Sequence, residues 1–408
     1  MINSTTNWKY SKEQFVKNSV RDTEALLDFA NMVFSMDYNS TDFVRLLPKA
    51  YSKERCQIPT HHIIWEENRV RALIDTYPLT MQINDIEKSA VEACYVGTVC
   101  VHPNSRGKGY MIELMKRVEE EATAQGCVLM ILDGDRHRYQ HYGFAHAGIQ
   151  YRFQIETDNI RHCCAQIYET PVSQPYRFEE IGVKSSYLDC LYAFYQHRIV
   201  TARSKEDFLL SLQSYGATAY AILEEAHVIG YITLTEDQRG ISEFELEKNQ
   251  MLPKVIQDLM LEFDIDQLVI SVGMDETDKI EWLEKMCNYC NVSMSHMIKI
   301  LNYEKVLAFM LQWKQYYGTL STGTYVIGVQ NEQTKILEKY SLLVTDTCVN
   351  VTRTEQEVNT ILESKELIRL LTTSFYFVEQ LKGEESKLKN VPAGWFPLPF
   401  YLPEADTF

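Results

Sequence analysis

The sequence predicts a multidomain protein of the α/β (α+β) class. Three observations carry this reading. Residues 95–132 run strand, glycine loop, helix, strand. Residues 241–272 repeat the strand, helix, strand order without a glycine loop. The chain has 408 residues, a length that corresponds to about two to four domains.

The elements follow in order. In residues 22–36, Leu26, Phe29, Ala30 and Val33 recur at helical spacing. Residues 62–65 and 70–77 read as strands joined by the polar turn Glu66-Glu67-Asn68. YVGTVCV, 95–101, is an apolar strand before Pro103, and the loop NSRGKG follows. In residues 110–125, Met111, Leu114, Met115, Val118 and Ala122 share one helical face, and Gly126 stands where a C-cap glycine belongs. CVLMIL, 127–132, is a buried strand, and TPVSQP, 170–175, reads as a connector. After a helix-rich stretch come strands at 219–223, 227–234 and 241–246, a helix at 253–263 and a strand at 267–272. The pattern changes near Met297. A helix is expected at 303–313, strands at 324–330, 339–344 and 348–352, and helices around 354–362 and 365–373. The tail, GWFPLPFYLPEADTF, is so apolar that it should be docked, because leaving it in water is costly.

Composition narrows the function classes. Hydrophobic residues are 45% and charged residues 24%, the balance of a soluble globular protein. Only 17 Gly and 11 Pro argue against long disordered regions, and 25 Tyr supply material for cores. Lys plus Arg is 40 against 56 Asp plus Glu, a net charge of −16, which argues against a nucleic-acid partner. The same field attracts cationic partners, or serves solubility alone. The N-terminal MINSTTNWKYSKEQF lacks the apolar core of a signal peptide, and no apolar run is long enough for a membrane span, so no membrane partner is expected. Of ten scattered cysteines, Cys287 and Cys290 form a CxxC, but no second pair or spaced histidine pair completes a metal site. No metal is expected, and free thiols fit a reducing, cytoplasmic setting.

The chemistry concentrates between Val96 and Met111. A buried strand runs through Arg106-Gly107-Lys108-Gly109 directly into a helix. Small residues let backbone N–H groups converge, the helix N-terminus adds partial positive charge, and Arg106 and Lys108 add full charges. That is an anion cradle suited to a pyrophosphate. A strict P-loop is excluded, because Gly109 follows the lysine where Ser or Thr is required; the dinucleotide GxGxxG lacks its third glycine. After the second strand, GDRHRYQHYGFAHAG contains Tyr139-x-x-x-Gly143-Phe144.

This order of strand, R-x-x-G loop, helix, strand and Y-x-x-x-G-F resembles the GNAT superfamily of acetyl-CoA-dependent N-acetyltransferases. The resemblance implies that Val99, Cys100 and Val101 pair with the pantetheine arm of acetyl-CoA. It implies that Arg106, Gly107, Lys108, Gly109, Tyr110 and Met111 hold the pyrophosphate. Met111 stands where the superfamily has Gly or Ala; the enhanced intracellular survival (Eis-like) branch commonly carries a bulky aliphatic residue there. That branch implies three parts. Residues 1–155 would be the GNAT catalytic domain, 156–296 a second GNAT-like domain without a cofactor loop, and 297–408 a sterol-carrier-like α+β domain. The carboxylate of the last residue, Phe408, would return to the first active site. The branch also implies a homo-oligomer, often a hexamer.

Acyl transfer to an amine requires a neutral amine, a placed thioester, a stabilised oxyanion and a proton for the leaving thiolate. A phenol with a pKa near roughly 10 can protonate a thiolate of about 8.5. Tyr139 occupies the GNAT position for that acid; Tyr142 is the alternative. The Eis-like branch often has a tyrosine at the position of Phe144, which has no proton to give. By resemblance the base is the Phe408 carboxylate, acting as a base if burial raises its pKa or by orienting a cationic amine. His61 and His62 are expected to be structural, His141 to line the cleft or lie at the surface, and Asp135, Arg136 and Arg138 to support Tyr139. The expected activity is transfer of an acetyl group to a primary amine of a cationic small molecule or lysine-like substrate. The alternative is a non-catalytic acyl-CoA-binding or sensing protein on the same scaffold.

Overall fold

The computed structural model describes residues 20–37, 40–52, 59–83, 89–167, 174–196 and 200–408. Residues 1–15 and most of the 170–175 connector, both read above from sequence, lie outside this set. The described residues open with the helix α1 (Val20–Asp37) and two single turns, α2 (Phe43–Leu46) and α3 (Pro48–Tyr51). Strands β1 (Thr60–Glu66), β2 (Arg69–Gln82) and β3 (Ala90–Val101) form an antiparallel meander. Helix α4 (Tyr110–Ala124) carries the chain to β4 (Leu129–Leu132), parallel to β3. The short α5 (Arg136–Tyr139) and β5 (Ala145–His146) follow. The amphipathic face of α4, Leu114, Met115, Val118 and Ala122, is buried against this sheet, as the 3.6-residue spacing dictates.

A second sheet begins with β6 (Gln150–Glu156). Helix α6 (Thr157–Ile167), β7 (Arg177–Glu180), α7 (Leu188–Gln196), the two-residue β8 (Val200–Thr201) and α8 (Lys205–Leu212) come next. Strands β9 (Thr218–Glu224), β10 (His227–Leu234) and β11 (Gly240–Leu246) form a meander; α9 (Leu252–Glu262) leads to β12 (Gln267–Gly273), and α10 (Thr277–Met286) to β13 (Tyr289–Ser293). The sheet order is β13-β6-β12-β11-β10-β9-β7. After Leu246 no glycine loop opens, and the chain enters α9 through Leu252-Pro253.

The next strand, β14 (Met297–Ile300), does not open a third unit. It returns to the first sheet, antiparallel to both β4 and β5, to give the order β1-β2-β3-β4-β14-β5 with β8 added on β2. The two sheets are thus interleaved along the chain, which a linear change of pattern near Met297 does not reveal. Helix α11 (Tyr303–Tyr317) then packs on a four-stranded sheet of β15 (Gly323–Gln330), β16 (Leu337–Val344), β17 (Val349–Arg353) and β18 (Thr360–Glu363), followed by α12 (Ser364–Thr372) and α13 (Phe375–Gln380). The helix expected around 354–362 is absent: Thr360–Glu363 is a strand parallel to β15, burying Thr360 and Leu362 alternately. A short apolar run fits either period, and the open edge of β15 decides.

One hydrophobic core runs without a break from α1 and β2 through α11 to the third sheet and the tail; the second sheet has cores of its own. No described helix is long and apolar enough to cross a membrane.

Candidate active site

The parallel pairing of β3 with β4 ends at Tyr95–Ile131, so the two strands part beyond that point and, among the described residues, no strand pairs with Val96–Val101 on that side. A cavity of about 500 Å³ opens there. Val99, Cys100 and Val101 line it from β3, Arg106, Gly107, Gly109, Tyr110 and Met111 from the loop and helix, and Val33 and Phe34 from α1. Gly107 and Gly109 have φ of 82° and 84°, the left-handed region that a side chain disfavours, and Gly109 is the N-cap of α4. The first N–H groups of a fifteen-residue helix therefore face the cavity mouth. Of the expected loop residues, Lys108 alone is not in the lining. Its ammonium is 2.9 Å from Glu66 at the end of β1, whose carboxyl that contact holds below the usual range. That ion pair ties the Lys108 side chain to the end of β1.

Tyr139 ends α5, whose N-cap Asp135 accepts a 2.8 Å hydrogen bond from the His137 N–H. Its ring is 5% exposed and packs edge-on to Phe144, with centroids 6.3 Å apart. It lies so close over Gly134 that an added Cβ there would meet the ring at 2.3 Å. Val99 and Met111 of the cavity wall pack against the same cluster. Tyr142 is half-buried, and burial raises its phenol pKa. Arg138 lines the cavity, and His141 is exposed.

The tail is docked along its length. Leu398 N–H donates to Leu371 O at 2.6 Å, Trp395 Nε1 to Ser321 O at 2.8 Å, and Tyr401 Oη to Ser271 O at 3.1 Å. Phe408 ends against β3. An added Cβ on Gly97 would lie 2.9 Å from a terminal carboxyl oxygen of Phe408, so glycine is what leaves room for it here. The Phe408 ring stacks on Tyr77 with centroids 4.3 Å apart and lies beneath the Lys49 ammonium at 3.9 Å. The Phe408 backbone hydrogen-bonds to the Tyr95 phenol, which donates to Asp133 at 3.1 Å; burial first, then Asp133, pushes that phenol's pKa well up. Asp133 also meets His296 Nε2 at 3.2 Å, and Ser295 Oγ bonds His296 Nδ1 at 2.6 Å.

Beneath the terminus lies a polar network. Tyr51 Oη donates to Asp75 at 2.5 Å and bonds Thr98 Oγ1 at 2.7 Å and the Tyr77 hydroxyl; Asp75 also holds His61 Nδ1 at 2.6 Å. His62 bonds Thr76 at 3.2 Å, and burial lowers its pKa. Lys49, Tyr51, Asp75, Tyr77, Tyr95, Asp133 and His296 are functional candidates that sequence reasoning missed. They come from α3, β2, β3 and the loop residues that flank β4 and β14, and share no local motif. Cys287 lies at the end of α10 and Cys290 on β13, both unbridged. Among the described residues, no group of three or more His, Cys, Asp or Glu is placed to hold a metal ion.

Residues 18–147 match the family model of the acetyltransferase (GNAT) domain. A comparison with curated proteins finds no match. Solved structures share the fold over nearly the whole chain. The GCN5-related N-acetyltransferase of Anabaena variabilis is 17% identical, with 91% of this chain and 92% of that one covered at a TM-score of 0.63. A probable N-acyltransferase from Enterococcus faecalis is 13% identical, with 91% and 92% covered at 0.64. Eis1 from Mycobacterium abscessus is 13% identical, with 90% and 92% covered at 0.60. The protein therefore carries a GNAT acetyltransferase domain and has an Eis-like, multidomain fold.

Proposed function

We propose that this protein is an acetyl-CoA-dependent N-acetyltransferase acting on a primary amine of a cationic small molecule or a lysine-like side chain. The observation that carries the proposal is the meeting of three features at one gap: the parted strands β3 and β4, the glycine loop before α4, and the chain terminus against Gly97. The apolar walls and exposed strand edge suit a pantetheine arm, and the loop N–H groups with Arg106 suit a pyrophosphate. In this reading the amine enters from the side of Asp133, is oriented by the Phe408 carboxylate, and loses its proton there. Tyr139 supplies the proton to the leaving thiolate. The third unit is read as sterol-carrier-like, its role here the seating of the tail, and the protein as a cytoplasmic homo-oligomer.

The test is release of CoA thiol from acetyl-CoA in the presence of an amine panel. Turnover with at least one cationic amine is expected. Tight acetyl-CoA binding with no thiol release for any amine would instead favour an acyl-CoA sensor on the same scaffold.

A further inference from the structure

The second unit lacks a cofactor loop, yet it presents buried charge to the tail. Arg203 lies between β8 and α8, where the chain adds to the first sheet and Ala202 N–H donates to Thr80 O at 2.8 Å. Its Nε donates to Asp406 at 2.5 Å, and its two terminal nitrogens donate to Glu243 on β11 at 2.9 and 2.6 Å. The three side chains are 3%, 4% and 0% exposed. The Tyr195 ring lies 4.7 Å from the guanidinium, and Tyr231 Oη donates to Glu243 at 2.7 Å. Among the described residues the second Asp406 oxygen accepts no hydrogen bond, and Arg203 is that carboxylate's hydrogen-bond partner from the second unit. From the first unit, Lys49 Nζ donates to Ala405 O at 2.7 Å and lies over the Phe408 ring.

Buried ion pairs add little net stability over apolar packing of the same volume, so stability does not account for this cluster. A guanidinium fork does fix direction, because its donors lie in one rigid plane. Asp406 is two residues from the terminal carboxylate, so the place of the fork sets the place of that group. We infer that Arg203, oriented by Glu243, is a positioning residue for the Phe408 carboxylate, opposed by Lys49, and that the loop-less second unit serves the first as the clamp of its catalytic terminus. This inference rests on the proposal that the Phe408 carboxylate orients the amine.

The experiment compares kcat, the KM for the amine and the acetyl-CoA dissociation constant in five chains: the full protein, Arg203→Met, Arg203→Lys, a chain ending at Thr407, and that shorter chain carrying Arg203→Met. Displacing a reacting group by an ångström costs about 100-fold, so Arg203→Met should lower kcat by that order while leaving acetyl-CoA binding within about twofold. Arg203→Lys, which keeps the charge but loses the fork, should lose about 10-fold. In the chain ending at Thr407, adding Arg203→Met should cost less than about twofold more, because coupled residues are not additive. Equal losses in both backgrounds, or a kcat within about twofold of the parent, overturn the clamp. Should Arg203→Met not fold, Asp406→Asn is read by the same criteria. If the chain ending at Thr407 itself keeps full kcat, the carboxylate proposal fails first, before Arg203 is altered.

Discussion

Thr98 has a φ of 49°, a conformation that a β-branched residue rarely adopts. The strain sits in the β3 bulge, where the register against β2 slips between Leu73 and Asp75. The bulge turns the Thr98 hydroxyl onto Tyr51 and Tyr77 while its neighbour Gly97 receives the terminus. Two further residues give predictions at this scale. Tyr139→Phe removes one oxygen from a packed ring. Thiol release should fall by about 10²–10⁴, the usual worth of a placed acid, with acetyl-CoA affinity nearly unchanged by calorimetry. Unchanged turnover would move the role to Tyr142 or Tyr95. Burial, opposed in part by Asp406, lowers the Lys49 ammonium from 10.5 to about 7. Between those pH values the unfolded chain holds a proton that the folded chain releases, so this group adds stability as pH rises from about 7 to 10.5. Lys49→Met should flatten that part of the urea-unfolding profile relative to the parent, by up to about 1.4 kcal/mol per pH unit. Parallel profiles would show that Lys49 keeps its ordinary pKa.

At the scale of elements, the loop and α4 were legible because their determinants are local. Glycine at positive φ, an amphipathic repeat and a C-terminal Gly126 all lie within about twenty residues, where spacing alone carries the information. The Lys108–Glu66 pair was not legible for the opposite reason, since Glu66 reaches the lysine from another strand. The strand Thr360–Glu363 was misjudged likewise, because its partner β15 lies some thirty residues away. The tail gives a prediction here. Gly148 has a φ of 78°, and an added Cβ would lie 1.8 Å from the Phe400 carbonyl oxygen. Gly148→Ala should therefore lower the unfolding midpoint by the equivalent of about 2 kcal/mol or more and loosen the terminus. A midpoint equal to the parent's would show that the tail tolerates displacement there.

On the scale of the whole molecule, three units converge on one chain end. The tail bonds Ser321 and Leu371 in the third unit, Ser271 in the second, and ends on the first. A tag of several residues after Phe408 should consequently depress kcat by about tenfold or more while sparing acetyl-CoA binding, since it removes a carboxylate from a fitted place. Normal kinetics of such a tagged chain would remove the terminus from the mechanism. Sedimentation should report a homo-oligomer, and a monomer at micromolar concentration would contradict that expectation. The charge of −16 has a structural counterpart near the terminus, where burial, then Asp133 and Asp237, raises the Glu404 carboxyl pKa.

By itself the sequence determined the order of elements in the first unit, the glycine loop before α4, the loop-less repeat and the need to dock an apolar tail. All of these follow from local spacing and from the cost of exposed apolar surface. Only the tertiary structure decided that β14 belongs to the first sheet, that Lys108 pairs with Glu66, that Lys49, Tyr77, Tyr95 and Gly97 surround Phe408, and that Arg203 holds Asp406. Those residues lie hundreds of positions apart in some pairs, and strand pairing and buried charge are settled by which surfaces meet, not by neighbours along the chain.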